Sequence, residues 1–171
     1  HLKKRGNKQT IMLGFSDSTK DGGYLMANWS IYKAKIELTA LAREYDVDLV
    51  FFDGRGGPPA RGGGKTQRFY ASMGKDIENK HIQLTIQGQT ISSQYGSLDT
   101  AQYNIEQLVH AGLISELKQN EGDTLTKKQK EIINDIALVS YNKFMSLRNH
   151  PQFLKYLETL SPLKSLSSIN I

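Results

Sequence analysis

The chain has 171 residues, a length that supports one domain with a substantial core, because a chain of this size buries about 70% of the surface that its unfolded form exposes. Its 22 Lys and Arg residues outnumber 17 Asp and Glu, and the net charge of +5 is scattered along the chain. This charge pattern favours contact with small anions over nucleic-acid binding. No apolar run approaches the about 20 residues that a membrane span needs.

The chain contains no cysteine, which excludes a disulfide or thiolate–zinc framework and is expected of a protein in the reducing cytoplasm. The opening "HLKKRGNKQT" is basic, and no apolar segment of the kind found in a secretory signal follows it. Because the chain begins with His rather than Met, we expect it to be a piece of a longer protein.

Three apolar runs predict strands. "QTIMLGF" ends at a glycine and a polar cluster, "VDLVFFD" is almost continuously apolar, and "HIQLTIQGQ" alternates apolar with polar side chains. Between the first two runs, residues 23–45 carry apolar side chains three and four positions apart, which places them on one face of a helix. Those side chains are Leu25, Trp29, Tyr32, Ile36, Ala40 and Leu41. "KTQRFYASM" predicts a short helix before the third strand.

Beyond residue 98 the pattern predicts only helices. "DTAQYNIEQLVHAGLISEL" begins with an Asp/Thr cap, and "NEGD" separates it from a second long helix, "TKKQKEIINDIALVSYNKFMSLR". In that second helix Ile132, Ile136 and Val139 are predicted to face the core, and Pro151 suits the first turn of a third helix, "PQFLKYLETL". The apolar positions of the first of these helices are Tyr103, Leu108, Ala111, Leu113 and Leu117.

Strands that alternate with helices indicate an α/β fold with a parallel sheet, in which ligands bind beyond the carboxyl ends of the strands. Three strands are too few to close a barrel, so the rest of such a sheet would come from elsewhere. We expect residues 1–98 to hold the βα units and the candidate site, and residues 99–171 to form a helical segment of the same domain.

The segment after the first strand, "GFSDSTKDGG", offers a carboxylate between two hydroxyls. Asp17 can hold Mg²⁺ through one oxygen while substrate and water complete the octahedron, and Lys20 can act as a point charge for a phosphate. The alternative is helix capping, since Ser16, Asp17, Ser18 and Asp21 are all common residue types before a helix.

The segment after the second strand, "DGRGGPPARGGG", combines glycines with two arginines. Its glycines let backbone N–H groups approach an anion, and Arg55 and Arg61 supply planar forks that grip phosphate or carboxylate. The alternative is a surface loop whose arginines are merely solvated. "GGGKT" is not a phosphate-binding P-loop, because the first glycine of the required pattern GxxxxGK[ST] is missing. The glycines predicted to line the anion site are Gly54, Gly56, Gly57, Gly62, Gly63 and Gly64.

The histidines give no indication of a metal site. His81, His110 and His150 are far apart in the sequence and show no ligand spacing, so structural or surface roles are expected for them.

Three motifs resemble one known family. "GFSDSTKDGGYLMANWSIYKAKIEL", "FFDGRGGPPARGGG" about thirty residues later, and "LTIQGQTISSQYG" are similar in order and separation to the carboxyl-terminal catalytic region of phosphoenolpyruvate carboxylases. The resemblance runs from about Gln9 to Gly96. It implies part of a (β/α)8-type barrel from a cytoplasmic, homotetrameric enzyme that joins bicarbonate to phosphoenolpyruvate with Mg²⁺ or Mn²⁺, giving oxaloacetate and phosphate.

The resemblance also implies roles for individual residues. Asp17 matches a metal ligand, Lys20 a basic residue beside the site, and Arg55 and Arg61 the two loop arginines. In the family the second arginine is required for catalysis and is contacted by the inhibitor aspartate, which implies that Arg61 has both roles here.

The chain departs from the family pattern at the second motif. Asp53 stands where the family usually has His, and Pro58, Pro59 and Ala60 replace a segment that usually ends in Gly. We expect the prolines to stiffen the loop and Asp53 to be able to pair with Arg55. The catalytic His and second metal carboxylate of the family are missing from these 171 residues, so the isolated chain is expected to be inactive. The alternatives left open are a non-catalytic module that senses phosphate or another anion and, more weakly, a nucleic-acid-binding domain.

Overall fold

The computed structural model describes residues 2–56, 65–117, 124–162 and 165, and at its centre is a parallel sheet. The strands, in spatial and chain order, are β1 (Lys8–Gly14), β2 (Asp48–Gly56) and β3 (Ile82–Ile86). β1 pairs with β2 without interruption from Lys8 opposite Asp48 to Gly14 opposite Gly54, whereas the register between β2 and β3 shifts between Asp53 and Gly56. The predicted α/β class and the three predicted strands are confirmed.

Helices connect and follow the strands. They are α1 (Phe15–Gly22), α2 (Tyr24–Glu44), α3 (Thr66–Ala71), α4 (Gln89–Tyr95), α5 (Leu98–Leu117), α6 (Lys127–Arg148) and α7 (Phe153–Leu160). α5 packs against α3 and α4, and α6 packs against α2, so the two long helices of the second half of the chain rest on the βα units of the first half.

The core lies between the sheet and these helices. Leu49 and Phe51 of β2 are almost fully buried there, beside Ala111 of α5, which is completely buried. The other buried members of this cluster are Ala42, Tyr70, Met73 and Ile77. Burial of each large apolar side chain contributes about 1.5–3 kcal/mol, so this cluster holds the helices to the sheet.

The most buried stripe of α2 includes two polar residues. Ala27, Ile31, Lys35 and Thr39 follow one another at intervals of four, and all are buried. The apolar residues that predicted the helix lie beside this stripe: Trp29 is buried and Tyr32 and Ile36 pack partly against the core, but Leu41 is 52% exposed. The helix is therefore confirmed. Its buried face includes Lys35 and Thr39, which apolar periodicity does not identify because they are polar.

Two local predictions are wrong, and one short helix was not predicted. Residues 15–22, predicted as a loop, form α1, which ends where Gly23 adopts a positive φ of 75°. Pro151 lies in the turn before α7 rather than in its first turn, since that helix begins at Phe153. α4 was not predicted at all, because its sequence, "QTISSQY", has neither an apolar stripe nor a cap residue.

The predicted inward faces of the later helices are also partly wrong. Ile132, Ile136 and Val139 of α6 are each about half exposed or more, at 49%, 54% and 63%. α6 instead buries Ala137 and reaches α2 through Asn134, whose side-chain oxygen lies 3.1 Å from Nζ of Lys33. Apolar residues of α5 behave in the same way. Tyr103 and Leu113 are exposed, whereas Leu108 and Ala111 face the core.

Among the described residues, no helix combines the length and the apolar character that a bilayer crossing needs.

Two glycines provide a matched test of the helix packing. A methyl group at Gly23 would lie 3.1 Å from Cγ of Phe144 on α6 at a backbone angle that L-residues rarely adopt, whereas one at Gly112, inside α5, would meet nothing within 4 Å. We expect Gly23→Ala to destabilise the protein by about 1–3 kcal/mol and Gly112→Ala to stabilise it by about 0.5–1 kcal/mol. Thermal unfolding of both variants measures this, and shifts of the same sign would contradict the described junction of α1, α2 and α6.

Candidate anion site at the carboxyl ends of the strands

The carboxyl ends of β1 and β2 meet at a pair of glycines. Gly14 lies opposite Gly54, and a methyl group on Gly54 would lie only 3.0 Å from the carbonyl oxygen of Leu13 and 3.5 Å from Cε of Met12. The glycine therefore allows the two strand ends to approach closely. Side chains alternate between the two faces of a strand. Met12 and Gly54 therefore lie on the face of the sheet that is opposite the helix-covered core.

Asp17 extends back over the end of β1. It lies in the first turn of α1, its side chain is exposed, and its Oδ2 would be 3.3 Å from a methyl group on Gly14. Its Oδ1 lies 3.1 Å from Nζ of Lys20, one helical turn further on. The two predicted residues are thus brought together at the expected edge of the sheet, as an exposed ion pair worth at most about 1 kcal/mol.

The capping alternative is wrong for this segment. The N-cap of α1 is Gly14, no side chain caps the helix, and Ser16, Asp17 and Ser18 all lie inside it. Asp21 instead lies 3.3 Å from Nη1 of Arg148, which joins α1 to α6. Local capping therefore does not account for the acidic and hydroxyl residues.

Asp17 is the carboxylate at the position where the metal ion is predicted. Across the parts of the chain that are described, no three His, Asp or Glu side chains form a cluster that could hold a metal. Mg²⁺ binds through one or two carboxylates while keeping water and substrate oxygens, so Asp17 fits the role of one ligand and would need partners from outside the described residues. The exposed His81, His110 and His150 contribute nothing here.

Arg55 is not in a loop. It belongs to β2, as do Gly54 and Gly56, and only 9% of it is exposed. Its guanidinium carbon lies 4.0 Å from the centre of the Phe69 ring on α3 and 5.8 Å from that of Phe15 on α1. The hypothesis of a merely solvated arginine is therefore wrong for Arg55. Its side chain lies on the helix-covered face, whereas Asp17 extends over the opposite face at the same edge of the sheet.

Two nitrogens of the buried Arg55 guanidinium lack hydrogen-bond partners among the described residues. Nε and Nη1 of Arg55 have no hydrogen-bond partner and no carboxylate within ion-pair distance in the described residues. Burial lowers the pKa of Arg55 from its ordinary value, while the nearby Tyr70, Tyr24 and Asp53 act in the opposite sense. The group nevertheless remains charged, because an arginine is protonated far beyond neutral pH. Unpaired buried donors cost about 1–3 kcal/mol each, which an anion with acceptor oxygens would relieve.

Asp53 pairs with Lys35, not with Arg55 as the sequence allowed. Oδ2 of Asp53 accepts hydrogen bonds from Nζ of Lys35 and from the hydroxyl of Tyr70, both at 2.8 Å. Asp53 and Lys35 are 1% and 2% exposed, and the lysine Nζ lies 4.9 Å from the centre of the Phe51 ring. Sequence analysis missed both partners. The signal that could have found Lys35 is its place in the four-residue stripe of α2.

Burial changes the ionisation of both partners of Asp53. It lowers the pKa of the Lys35 ammonium from its usual value, against the opposing charge and hydrogen bond of Asp53. It also raises the pKa of Tyr70 well above its usual value, and here the charge of Asp53 and the hydrogen bond to it act in the same direction. Tyr70 is therefore a neutral donor at physiological pH.

The other predicted site residues, Gly57, Arg61, Gly62, Gly63 and Gly64, lie outside the described residues.

A parallel sheet carries a carboxylate at its carboxyl edge, together with a buried guanidinium whose Nε and Nη1 lack partners among the described residues. This arrangement defines an α/β protein with a candidate anion site. Comparison with known proteins identifies the family. The model of the family described as "Phosphoenolpyruvate carboxylase" matches residues 1–171, and the chain belongs to that family.

Several curated relatives carry the name phosphoenolpyruvate carboxylase. The relative from Corynebacterium diphtheriae is 36% identical over 171 residues, and those from Corynebacterium efficiens and Corynebacterium glutamicum are each 38% identical over 172 residues. All of this chain is covered in each case, and it spans 19% of the length of each relative. The family expected from the three motifs is confirmed.

The Tyr70 hydroxyl gives a pH-dependent prediction. Tyr70→Phe removes one of the two donors to buried Asp53 and is expected to cost about 1.5–3 kcal/mol of stability near neutral pH. The pKa of Tyr70 is raised on folding, so above about pH 10 the unfolded chain loses the phenolic proton while the folded protein keeps it, and this stabilisation falls by about 1.4 kcal/mol per pH unit. Unfolding free energies of both proteins at about pH 8 and pH 11 measure the change, with the exposed Tyr103→Phe as control. A difference that grows with pH would contradict the assignment.

Proposed function

We propose that this chain is part of an enzyme that carboxylates phosphoenolpyruvate with bicarbonate, forming oxaloacetate and phosphate, and that the chain by itself is inactive. Membership of the phosphoenolpyruvate carboxylase family supports a carbon–carbon lyase with these substrates. The inactivity of the isolated chain is expected because its described residues form no cluster of three metal-binding side chains and it spans 19% of the length of its relatives.

The observation that carries the proposal is the guanidinium of Arg55. It is buried, fixed against Phe69, and unpaired at Nε and Nη1, at the end of a strand where parallel α/β folds bind ligands. Both substrates are small anions with planar or tetrahedral sets of oxygens, which a guanidinium fork binds through two hydrogen bonds.

The residues fit the charge changes of the reaction. Transfer of the phosphoryl group from the enol oxygen to bicarbonate gives carboxyphosphate and an enolate, and the enolate carbon then takes up the carboxyl group with release of phosphate. Arg55 and Arg61 would hold the anionic groups in position and stabilise their charge, Lys20 would add a positive charge, and backbone N–H groups of the glycine-rich segment would surround the oxygens. A Mg²⁺ or Mn²⁺ ion bound through Asp17 would polarise substrate oxygens.

The sheet is proposed to be part of a (β/α)8 barrel within the longer protein. Both outer strands, β1 and β3, have one edge that pairs with no other described strand, and Met12 of β1 is 66% exposed on the face opposite the core. Further strands would satisfy both edges and cover that face. The packing of α5 and α6 on the βα units supports residues 1–98 and 99–171 as segments of one domain.

The remaining family properties are proposed for the longer protein only. They are a cytoplasmic location, a homotetrameric assembly, and inhibition by aspartate through contact with Arg61.

The function is tested by assaying oxaloacetate formation from phosphoenolpyruvate, bicarbonate and Mg²⁺. The full-length protein that contains this sequence is expected to be active and the 171-residue chain alone inactive. A folded full-length protein that binds phosphoenolpyruvate but produces no oxaloacetate would overturn the proposal in favour of an anion sensor. Steeply salt-dependent binding of oligonucleotides would favour a nucleic-acid-binding protein instead.

Arg61 is expected to be needed for turnover. In the full-length protein Arg61→Ala should lower kcat about 100-fold or more, because a cation placed at developing negative charge contributes about 3–4 kcal/mol to catalysis. Arg68→Ala, an exposed position on α3, is the matched control and should leave kcat unchanged. Wild-type turnover of the Arg61 variant, with a normal thermal transition, would show that the assignment is wrong.

Asp17 is expected to act through the metal. Asp17→Asn in the full-length protein should raise the Mg²⁺ concentration that gives half-maximal activity by on the order of tenfold or more, since the amide is a neutral and weaker ligand. Asp21→Asn removes a carboxylate of the same helix that pairs with Arg148, and should leave the Mg²⁺ requirement unchanged. Equal effects of the two substitutions would indicate a general electrostatic effect rather than ligation.

A further inference from the structure

Three charged side chains lie together on the helix-covered face at the end of β2. Lys35 and Asp53 form a buried ion pair with Nζ and Oδ2 at 2.8 Å, and Arg55, two residues further along the strand, has no ion-pair partner in the described part of the chain. The lysine and aspartate charges cancel. The cluster therefore carries one net positive charge, and it resides on Arg55.

The geometry explains why Asp53 does not neutralise the arginine. Lys35 and Tyr70 both donate to the same oxygen of Asp53, Oδ2, which directs the carboxylate toward α2 and α3. Meanwhile the guanidinium of Arg55 stacks on the Phe69 ring, with its Cζ 4.0 Å from the ring centre. The other carboxylate oxygen, Oδ1, is buried and has no hydrogen-bond partner in the part of the chain that is described, so Asp53 retains an unused acceptor.

We propose that Lys35 is a positioning residue that neutralises Asp53 and thereby keeps the positive charge of Arg55 available for the phosphate or carboxylate group of the substrate. This inference rests on the proposed function, because it concerns how the same site binds its anion. It also accounts for the departure from the family pattern at position 53, where a carboxylate beside the substrate-binding arginine would otherwise oppose an anionic ligand.

Without the charge of Lys35, Asp53 would compete with the substrate anion for Arg55. In Lys35→Met, buried Asp53 would lose its counter-charge, and an uncompensated buried carboxylate takes the nearest available cation. Asp53 and Arg55 are two residues apart in β2 and therefore lie on the same face of the sheet. Arg55 would therefore become the internal partner of Asp53, and binding of an external anion would have to break that pair.

The test is a double-substitution cycle in the full-length protein, with the dissociation constant of phosphoenolpyruvate measured by calorimetry without bicarbonate. Lys35→Met is expected to raise this constant on the order of tenfold or more, the effect of one charged hydrogen bond, and to raise KM more than it lowers kcat. Asp53→Asn should leave the constant unchanged or lower it. The double variant Lys35→Met/Asp53→Asn should return it to within about threefold of the wild-type value, because no buried carboxylate then competes.

Controls separate this role from simple support of the fold. Lys33→Met removes a lysine of the same helix that contacts Asn134 and lies outside the cluster, and it should not change the dissociation constant. A purely structural role would shift the thermal transitions of the cluster variants while leaving phosphoenolpyruvate affinity of the folded protein unaltered, and that result would overturn the proposal. Weak binding by the double variant would overturn it too.

If Lys35→Met does not fold, the remaining variants still decide the question. A tenfold weaker binding of phosphoenolpyruvate by Asp53→Asn would show that Asp53 supports the anion site and does not oppose it. A tenfold weaker binding by a folded double variant would show the same. The two proposals also fail separately. If the protein binds phosphoenolpyruvate but forms no oxaloacetate, the carboxylase proposal is wrong, and the dissociation constants of the variants can still be compared. If it forms oxaloacetate and Lys35→Met changes nothing, only the positioning role of Lys35 is wrong.

Discussion

The ion pair between Lys35 and Asp53 is the interaction on which the arrangement at the carboxyl edge depends. It joins α2 to β2, and the hydroxyl of Tyr70 adds α3, so three elements meet at one carboxylate oxygen. Both charges are almost completely removed from water, and loss of either partner would break a buried ion pair at a cost of about 3–5 kcal/mol. The pair therefore determines both where α2 sits against the sheet and which cation remains unpaired.

The alternation of side chains along β2 separates the two parts of the candidate site. Asp53 and Arg55 extend toward the helices, whereas Gly54 faces the opposite side together with Met12 of β1. Asp17 extends over Gly14 on that opposite side. A ligand that used both the carboxylate and the guanidinium would therefore have to lie across the edge of the sheet, at the glycine pair where the two strand ends approach closely.

The apolar surface of the later helices fits the same interpretation. α5 and α6 each bury one face against the βα units and leave further apolar residues exposed, among them Ile136 and Val139. An apolar face on a helix is normally covered, and the chain spans 19% of the length of its curated relatives, so the rest of a longer protein would provide the covering. The apolar pattern of α5 and α6 correctly predicted helices. It incorrectly predicted that residues such as Ile136 and Val139 face the core beside the sheet.

The sequence by itself determined the α/β class, the positions of the strands, the long helices and the family, because periodicity and short motifs are local properties of a chain. It also identified Asp17, Lys20 and Arg55 as residues of one edge of the sheet. Only the tertiary structure decided that Arg55 is buried, with Nε and Nη1 unpaired in the described part of the chain, and that Asp53 binds Lys35 instead. Those facts depend on which side chains meet across elements 18 residues apart in the chain, and a lysine in a helix is expected at the surface until a buried carboxylate is found facing it.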